Sequence, residues 1–117
     1  MNAEQTRSKL AALPLSINAR YVLWNRLETM PVYVGTAKAP SRIKSHLQKD
    51  DKRVGPLGKL IVNKPFYEYV MNQPIGWLGI SFDLFEDDDD ARQAERDDIA
   101  RFGMRPNGTL FNRRAGG

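Results

Sequence analysis

Short apolar runs, separated by polar links rich in glycine and proline, dominate the pattern along this chain. Three of these runs are rich in aromatic and aliphatic residues and predict β-strands, at Arg20 to Asn25, Val32 to Gly35 and Gly76 to Phe85. A short polar link joins the first two runs, which is the pattern of an antiparallel hairpin. The pattern therefore predicts a small antiparallel sheet of about three strands.

Two segments with helical spacing lie on either side of the hairpin. Residues 2–12 predict a short helix whose apolar face carries Leu10, and Pro14 ends it soon after. Residues 41–48 follow Pro40, which suits a first helical turn, and they carry Ile43 and Leu47 on one face. Residues 60–71 mix apolar and polar side chains around a proline, so no element is predicted there.

The third predicted helix, at residues 89–102, follows an acidic run at Glu86 to Asp90. Carboxylates at a helix N-terminus complement the helix dipole and its free N–H groups, which explains most of the run without a metal site. The inward face carries Ala91 and Ile99, and Glu95 lies four residues from each of them on the same face. A carboxylate there is costly unless it is paired, binds a metal or opens to a cleft.

The chain has 117 residues, of which 41% are hydrophobic and 27% are charged, the balance of one globular domain. We therefore predict the α+β class, with a small central antiparallel sheet flanked by helices. The whole chain, 1–117, forms one domain in this interpretation, and residues 1–18 are an N-terminal helical extension.

Several functional classes conflict with the residue content. The chain has no cysteine, which excludes a disulfide scaffold, a thiolate zinc finger and a thiol nucleophile. Its apolar runs are too short to span a membrane, and polar residues such as Glu4 and Arg7 interrupt any signal-like start. We expect a cytoplasmic protein without a membrane partner.

The net charge of +4 conceals three regions of different sign. Residues 38–64 carry net +6, residues 83–98 carry net −7, and residues 101–117 carry net +4. A concentrated basic segment predicts contact with a polyanion such as nucleic acid, and residues 38–64 are the first candidate for it.

A set of short motifs, in a fixed order, resembles the GIY-YIG nuclease family. The matching residues cover positions 19–117, and they are Ala19-Arg20-Tyr21, Tyr33-Val34-Gly35, Thr36-Ala37-Lys38, Arg42, His46, Glu95 and the closing segment Phe111 to Gly117 with Asn112. The first tripeptide departs from the family pattern because it keeps only the tyrosine. Each motif alone is weak, and their joint order carries the resemblance.

The resemblance implies an endonuclease that uses one divalent cation, Mg²⁺ or Mn²⁺, to hydrolyse phosphodiester bonds of DNA, with RNA not excluded. Glu95 would hold the cation, a single-carboxylate arrangement that suits Mg²⁺ with several bound waters. Tyr21 would be the leading general base, with Tyr33 and His46 assisting at the attacking water. The general base is not decided among these three residues.

Other roles follow from the same resemblance and from the local charge. Arg42 would clamp a non-bridging phosphate oxygen with its planar fork. Asn112 would form hydrogen bonds within the site or to the phosphate. Lys38, Lys44 and Arg113 would contact nucleic acid.

Other interpretations of the same residues stay open. Taken singly, the tyrosines are ordinary strand aromatics, the histidine a packed side chain and the asparagine a turn residue. One alternative function is a non-catalytic nucleic-acid-binding module, in which residues 38–64 contact phosphates and nearby aromatic residues stack on bases. The other is a protein-interaction domain that uses the acidic segment. Target specificity would come from residues 49–75, the N-terminal helix, a homodimer or a partner protein.

Overall fold

The α+β class is confirmed by a computed structural model, which describes residues 3–50 and 63–113. Within this part of the chain, three strands form one sheet and helices pack on both of its faces. The elements in chain order are α1 (Ala3–Ala11), β1 (Ala19–Asn25), β2 (Met30–Ala37), α2 (Pro40–Lys44), a 3₁₀ helix (Ser45–Lys49), α3 (Lys64–Met71), β3 (Leu78–Leu84) and α4 (Asp88–Phe102).

The sheet has the strand order β2-β1-β3, and both pairings are antiparallel. Strand β1 lies in the centre, and it contributes side chains to the cores on both faces because neighbouring residues of a strand point to opposite sides. Tyr21 and Leu23 face the core that contains Ile43, Phe66 and other residues of the α2 and α3 side. Val22 faces the smaller core beneath α4.

The C-terminal segment covers part of the outer edge of β2. The Phe111 N–H donates to the carbonyl oxygen of Val32 at 2.8 Å, and the Asn112 side chain bonds to the backbone of Val34. An exposed strand edge offers unpaired backbone groups, and this segment occupies them.

The acidic run forms the start of α4, in agreement with the interpretation of its charges. The Asp87 carboxylate accepts a hydrogen bond from the Asp90 N–H at 2.8 Å, and three aspartates occupy the first turn. These contacts satisfy free N–H groups at the helix start and place negative charge near its positive end.

Two segments differ from the sequence prediction. The helix expected at residues 41–48 is divided, because the chain tightens into a 3₁₀ helix from Ser45 onward. The unassigned stretch contains α3, whose start is capped by Asn63 accepting a hydrogen bond from the Phe66 N–H. The proline in that stretch is compatible with this helix because it lies in the first turn. Residues 60–62 of this stretch lie outside the described residues, as do residues 51–62 of the basic segment 38–64.

No helix formed by residues 3–50 and 63–113 combines the length and the apolar character that a membrane crossing requires.

Candidate active site

Strands β1 and β2 present both tyrosines on the same face of the sheet. In the antiparallel register, Tyr21 lies opposite Gly35 and Leu23 lies opposite Tyr33. Residues that oppose each other across two strands share a face, and so do residues two apart in one strand. The hairpin therefore brings Tyr21 and Tyr33 to the side of the sheet on which α2 and α3 pack.

Gly35 is required at this point because Tyr21 occupies the space where a side chain would be. A Cβ atom at Gly35 would overlap the hydroxyl end of the Tyr21 ring. The Tyr21 ring crosses Gly35 on the neighbouring strand. Because β2 is an edge strand, the Tyr21 hydroxyl therefore lies towards that edge of the sheet. The glycine of Tyr33-Val34-Gly35 therefore provides space and not an unusual backbone conformation.

Replacing Gly35 with alanine should displace the Tyr21 ring. We expect a loss of about 1 to 3 kcal/mol in the free energy of unfolding, since the added methyl group overpacks the site. Urea denaturation of Gly35→Ala and Tyr21→Ala, alone and combined, measures this effect. In the Tyr21→Ala background the penalty at position 35 should largely disappear, and strict additivity would contradict the clash.

Ala19 and Arg20 are the two residues that depart from the GIY-YIG pattern, and the Arg20 side chain lies on the other face of the sheet from Tyr21. Its guanidinium forms ion pairs with Asp83 on β3 and with Asp98 on α4, the latter at 2.9 Å. Arg20 therefore ties α4 to the sheet, and the neighbouring Tyr21 keeps its place on the opposite face.

His46 lies beside both tyrosines. Its Nε2 is 2.9 Å from the Tyr21 hydroxyl oxygen, and its ring centroid is 5.0 Å from that of Tyr21 and 6.5 Å from that of Tyr33. Burial, together with the positive charges of Lys49 and Arg42, lowers the pKa of His46 to about 3. The imidazole is therefore neutral at physiological pH.

Glu95 lies on α4, which packs against β1 and β2 from the other side of the sheet. The residue is only 4% exposed, although it carries a carboxylate. Within the described residues, its carboxylate forms no hydrogen bond and no ion pair. Burial raises the pKa of Glu95, and the nearby Arg92 and Arg96 oppose that rise.

Direct contacts join Tyr21, Tyr33 and His46, whereas Arg42 and Glu95 are related to them through their influence on the pKa values of these groups. Burial, followed by the influence of Tyr33 and Glu95, raises the pKa of Tyr21 above its ordinary value, and Arg42 acts in the opposite direction. Burial and Glu95 also raise the pKa of Tyr33. The site cluster, as we name it, consists of Tyr21, Tyr33, Arg42, His46 and Glu95.

The site cluster fits a hard cation held by a single protein carboxylate. Glu95 makes no hydrogen bond or ion pair within the described residues, so its carboxylate is available there to a bound cation. Residues 3–50 and 63–113 contain no group of three or more histidine, aspartate or glutamate side chains arranged to bind a metal. A cation here would therefore complete its coordination with water or substrate oxygens.

The Asn112 side chain forms its hydrogen bonds with the backbone of β2 and not with a residue of the site cluster. Its Oδ1 accepts a hydrogen bond from the Val34 N–H at 2.9 Å, and its Nδ2 donates to the Val34 carbonyl oxygen at 2.7 Å. The side-chain amide thus takes the place of a neighbouring strand, and it attaches the C-terminal segment to β2 next to Tyr33 and Gly35.

Asn112→Ala should cost about 2 to 4 kcal/mol in the free energy of unfolding, because it leaves both backbone groups of Val34 buried without a partner. Chemical denaturation checks this value, with Asn107→Ala at an exposed position nearby as the control. If Asn112→Ala unfolded like the wild type yet lost activity, the residue would belong to the reaction and not to the scaffold.

The residues predicted to contact nucleic acid lie on different elements. Lys38 follows β2 and is exposed, with an ion pair of 3.8 Å to Asp88. Lys44 is exposed at the end of α2, and Arg113 is exposed at the end of the described C-terminal segment.

Sequence reasoning missed two neighbours of the site cluster. Lys49 places its Nζ 2.9 Å from His46 Nδ1, and burial lowers the pKa of this lysine to about 8. Phe66 stacks on Tyr33 with ring centroids 5.5 Å apart and an interplanar angle of 6°. The spacing of three residues between His46 and Lys49 was the available signal for the first contact, since residues three apart are neighbours on a helix surface.

The chain matches no protein-family model, and comparisons with curated proteins and with solved structures found no match either.

Proposed function

We propose that this protein is a divalent-metal-dependent endonuclease that hydrolyses phosphodiester bonds in DNA. The observation that carries the proposal is the contact of Tyr21 and Tyr33 with His46, with Arg42 and Glu95 near enough to influence the pKa of Tyr21. The site cluster combines the hydrogen bond between Tyr21 and His46, an exposed guanidinium, and a carboxylate that makes no hydrogen bond or ion pair within the described residues. These are the groups that water attack on a phosphodiester requires.

Glu95 would hold the cation, Mg²⁺ or Mn²⁺. When bound, the cation neutralises negative charge that develops on the phosphate and on the leaving oxygen. This role also accounts for the inward position of Glu95, because burying an unpaired carboxylate costs free energy otherwise.

Tyr21 is the residue best placed to exchange a proton with the attacking water. Its hydroxyl oxygen is hydrogen-bonded to His46 and is held at the edge of β2 by the space over Gly35. Because burial keeps the phenol protonated, Tyr21 must lose its proton before it acts as a base, and the charge of Arg42 favours that loss. Tyr33 lies on the same face and is packed by Phe66.

Arg42 is the phosphate-binding residue of this proposal. It is exposed on α2, one helical turn from His46 in sequence, and its charge influences both His46 and Tyr21. A guanidinium can bind two phosphate oxygens at once, which suits a phosphodiester better than a lysine ammonium does.

Cleavage assays on a panel of end-labelled substrates test the proposal. The panel contains single-stranded, double-stranded, branched and flapped DNA and matching RNA, each with Mg²⁺, Mn²⁺ or a chelator. We expect metal-dependent cleavage of at least one DNA substrate. Salt-sensitive binding without turnover on every substrate would overturn the proposal and support the non-catalytic binding module.

A further inference from the structure

His46 has a different partner on each ring nitrogen. Nε2 lies 2.9 Å from the Tyr21 hydroxyl oxygen, and Nδ1 lies 2.9 Å from Lys49 Nζ. A lysine ammonium has three donors and no acceptor. The nitrogen that faces it must therefore accept, and the single proton of the neutral imidazole must lie on the other nitrogen.

The 3₁₀ helix explains why Lys49 reaches His46. Side chains three residues apart nearly eclipse each other in a 3₁₀ helix, so they lie closer in angle than in an α-helix, where they are also neighbours. The end of this helix is also fixed to the sheet, because the Trp77 indole N–H donates to the Lys49 carbonyl oxygen at 3.0 Å. Asp50 Oδ1 accepts hydrogen bonds from the N–H groups of Gly76 and Leu78, at 3.1 and 3.0 Å.

Charges around His46 agree with this assignment of protons. The groups that face its ring are Tyr21 from β1, Tyr33 from β2, Arg42 from α2 and Lys49 from its own helix. Among the described residues, two of these groups are cations and none is a carboxylate, so burial and these cations keep the imidazole neutral. Lys49 keeps its charge at pH 7, since its lowered pKa of about 8 is still above that pH.

We propose that Lys49 is a positioning residue that holds His46 in its Nε2–H tautomer, so that His46 donates a hydrogen bond to the Tyr21 oxygen. In this arrangement His46 is not the group that accepts the proton of Tyr21. The Tyr21 proton must therefore leave to solvent or to a phosphate oxygen before Tyr21 can accept a proton from the attacking water. The inference rests on the proposed function for its catalytic meaning, and it assigns the general base to the tyrosines.

The ¹⁵N NMR spectrum of the imidazole tests the tautomer directly, because His46 is the single histidine of the chain. At pH 6.5 and without metal, we expect a protonated Nε2 and an unprotonated Nδ1 in the wild type. Lys49→Met should populate the other tautomer, whereas Lys49→Arg, which keeps a cationic donor, should preserve the wild-type pattern. Lys9→Met changes an exposed lysine on α1 and serves as the matched control.

A protonated Nδ1 in the wild type would overturn the proposal, as would an unchanged tautomer in folded Lys49→Met. The wild-type spectrum decides the tautomer even if a variant fails to fold, and it needs no substrate.

Kinetics then test the consequence for the reaction. We expect Lys49→Met to lower kcat by about 10- to 100-fold with little change in KM, the usual effect of losing a partner that orients a catalytic imidazole. Lys49→Arg should restore most of the rate. Wild-type kcat in Lys49→Met would overturn the positioning role. Absence of cleavage by the wild type would instead refute the proposed nuclease, while the tautomer measurement would still stand.

Discussion

Glu95→Gln should abolish metal-dependent cleavage, with a rate loss of at least about 1,000-fold, since the neutral amide removes the charged ligand of the cation. The same change should leave the metal-free fold at least as stable as the wild type at pH 7. Glutamine has nearly the same shape, and it removes a buried charge that has no partner in the described residues. Loss of activity with a gain in stability separates a catalytic carboxylate from a structural one.

The difference in stability between Glu95→Gln and the wild type should depend on pH. Because burial raises the pKa of Glu95, its contribution to the free energy of unfolding is fully present below the unfolded-state pKa. That contribution is lost as the pH rises through the higher folded-state pKa. The stability advantage of Glu95→Gln should therefore be small at pH 4 and grow towards pH 7.

Urea denaturation at the two pH values measures this difference, with Glu28→Gln at an exposed position of the hairpin link as the control. Adding Mg²⁺ or Mn²⁺ should then stabilise the wild type alone, by about 2.7 kcal/mol when the metal is at one hundred times Kd. Equal stabilisation of the wild type and Glu95→Gln would contradict the assignment of Glu95 as the metal ligand.

Tyr21→Phe should lower the cleavage rate by about 100- to 10,000-fold, the range expected for loss of a proton-transfer group. The fold should survive, because the ring still covers Gly35 and only the hydrogen bond to His46 is lost. We expect a change of about 1 kcal/mol in the free energy of unfolding. Single-turnover cleavage and urea denaturation measure the two effects.

Tyr69→Phe is the matched control for this variant. It removes a hydroxyl that accepts a hydrogen bond from Asn25 Nδ2 at 2.8 Å, outside the site cluster. Its cost in stability should be similar, and its cleavage rate should be that of the wild type. If Tyr21→Phe also cleaved at the wild-type rate, Tyr21 could not be the general base.

Residue patterns alone were sufficient for the main elements of this fold. Aromatic and aliphatic runs predicted all three strands, and helical spacing together with the acidic start predicted α4. The inward position of Glu95 also followed from spacing, because the face of a helix is set by a regular rotation per residue. The structure confirms that this residue is buried.

Contacts between distant segments were not predictable in the same way. Helix α3 was missed because a proline interrupts its sequence, and only the cap at Asn63 shows that the proline lies in a first turn. The role of Asn112 depends on Val34, which lies far from it in the chain, so no local pattern could reveal the pair.

The sequence by itself determined which residue types lie on which face of each element, since periodicity is a local property of the backbone. Only the tertiary structure decided how these faces meet. Register across two strands places the Tyr21 ring over Gly35, and the attachment of the 3₁₀ helix to residues 76–78 holds Lys49 beside His46. Both outcomes depend on packing between elements, which determines the local backbone geometry that residue spacing alone leaves open.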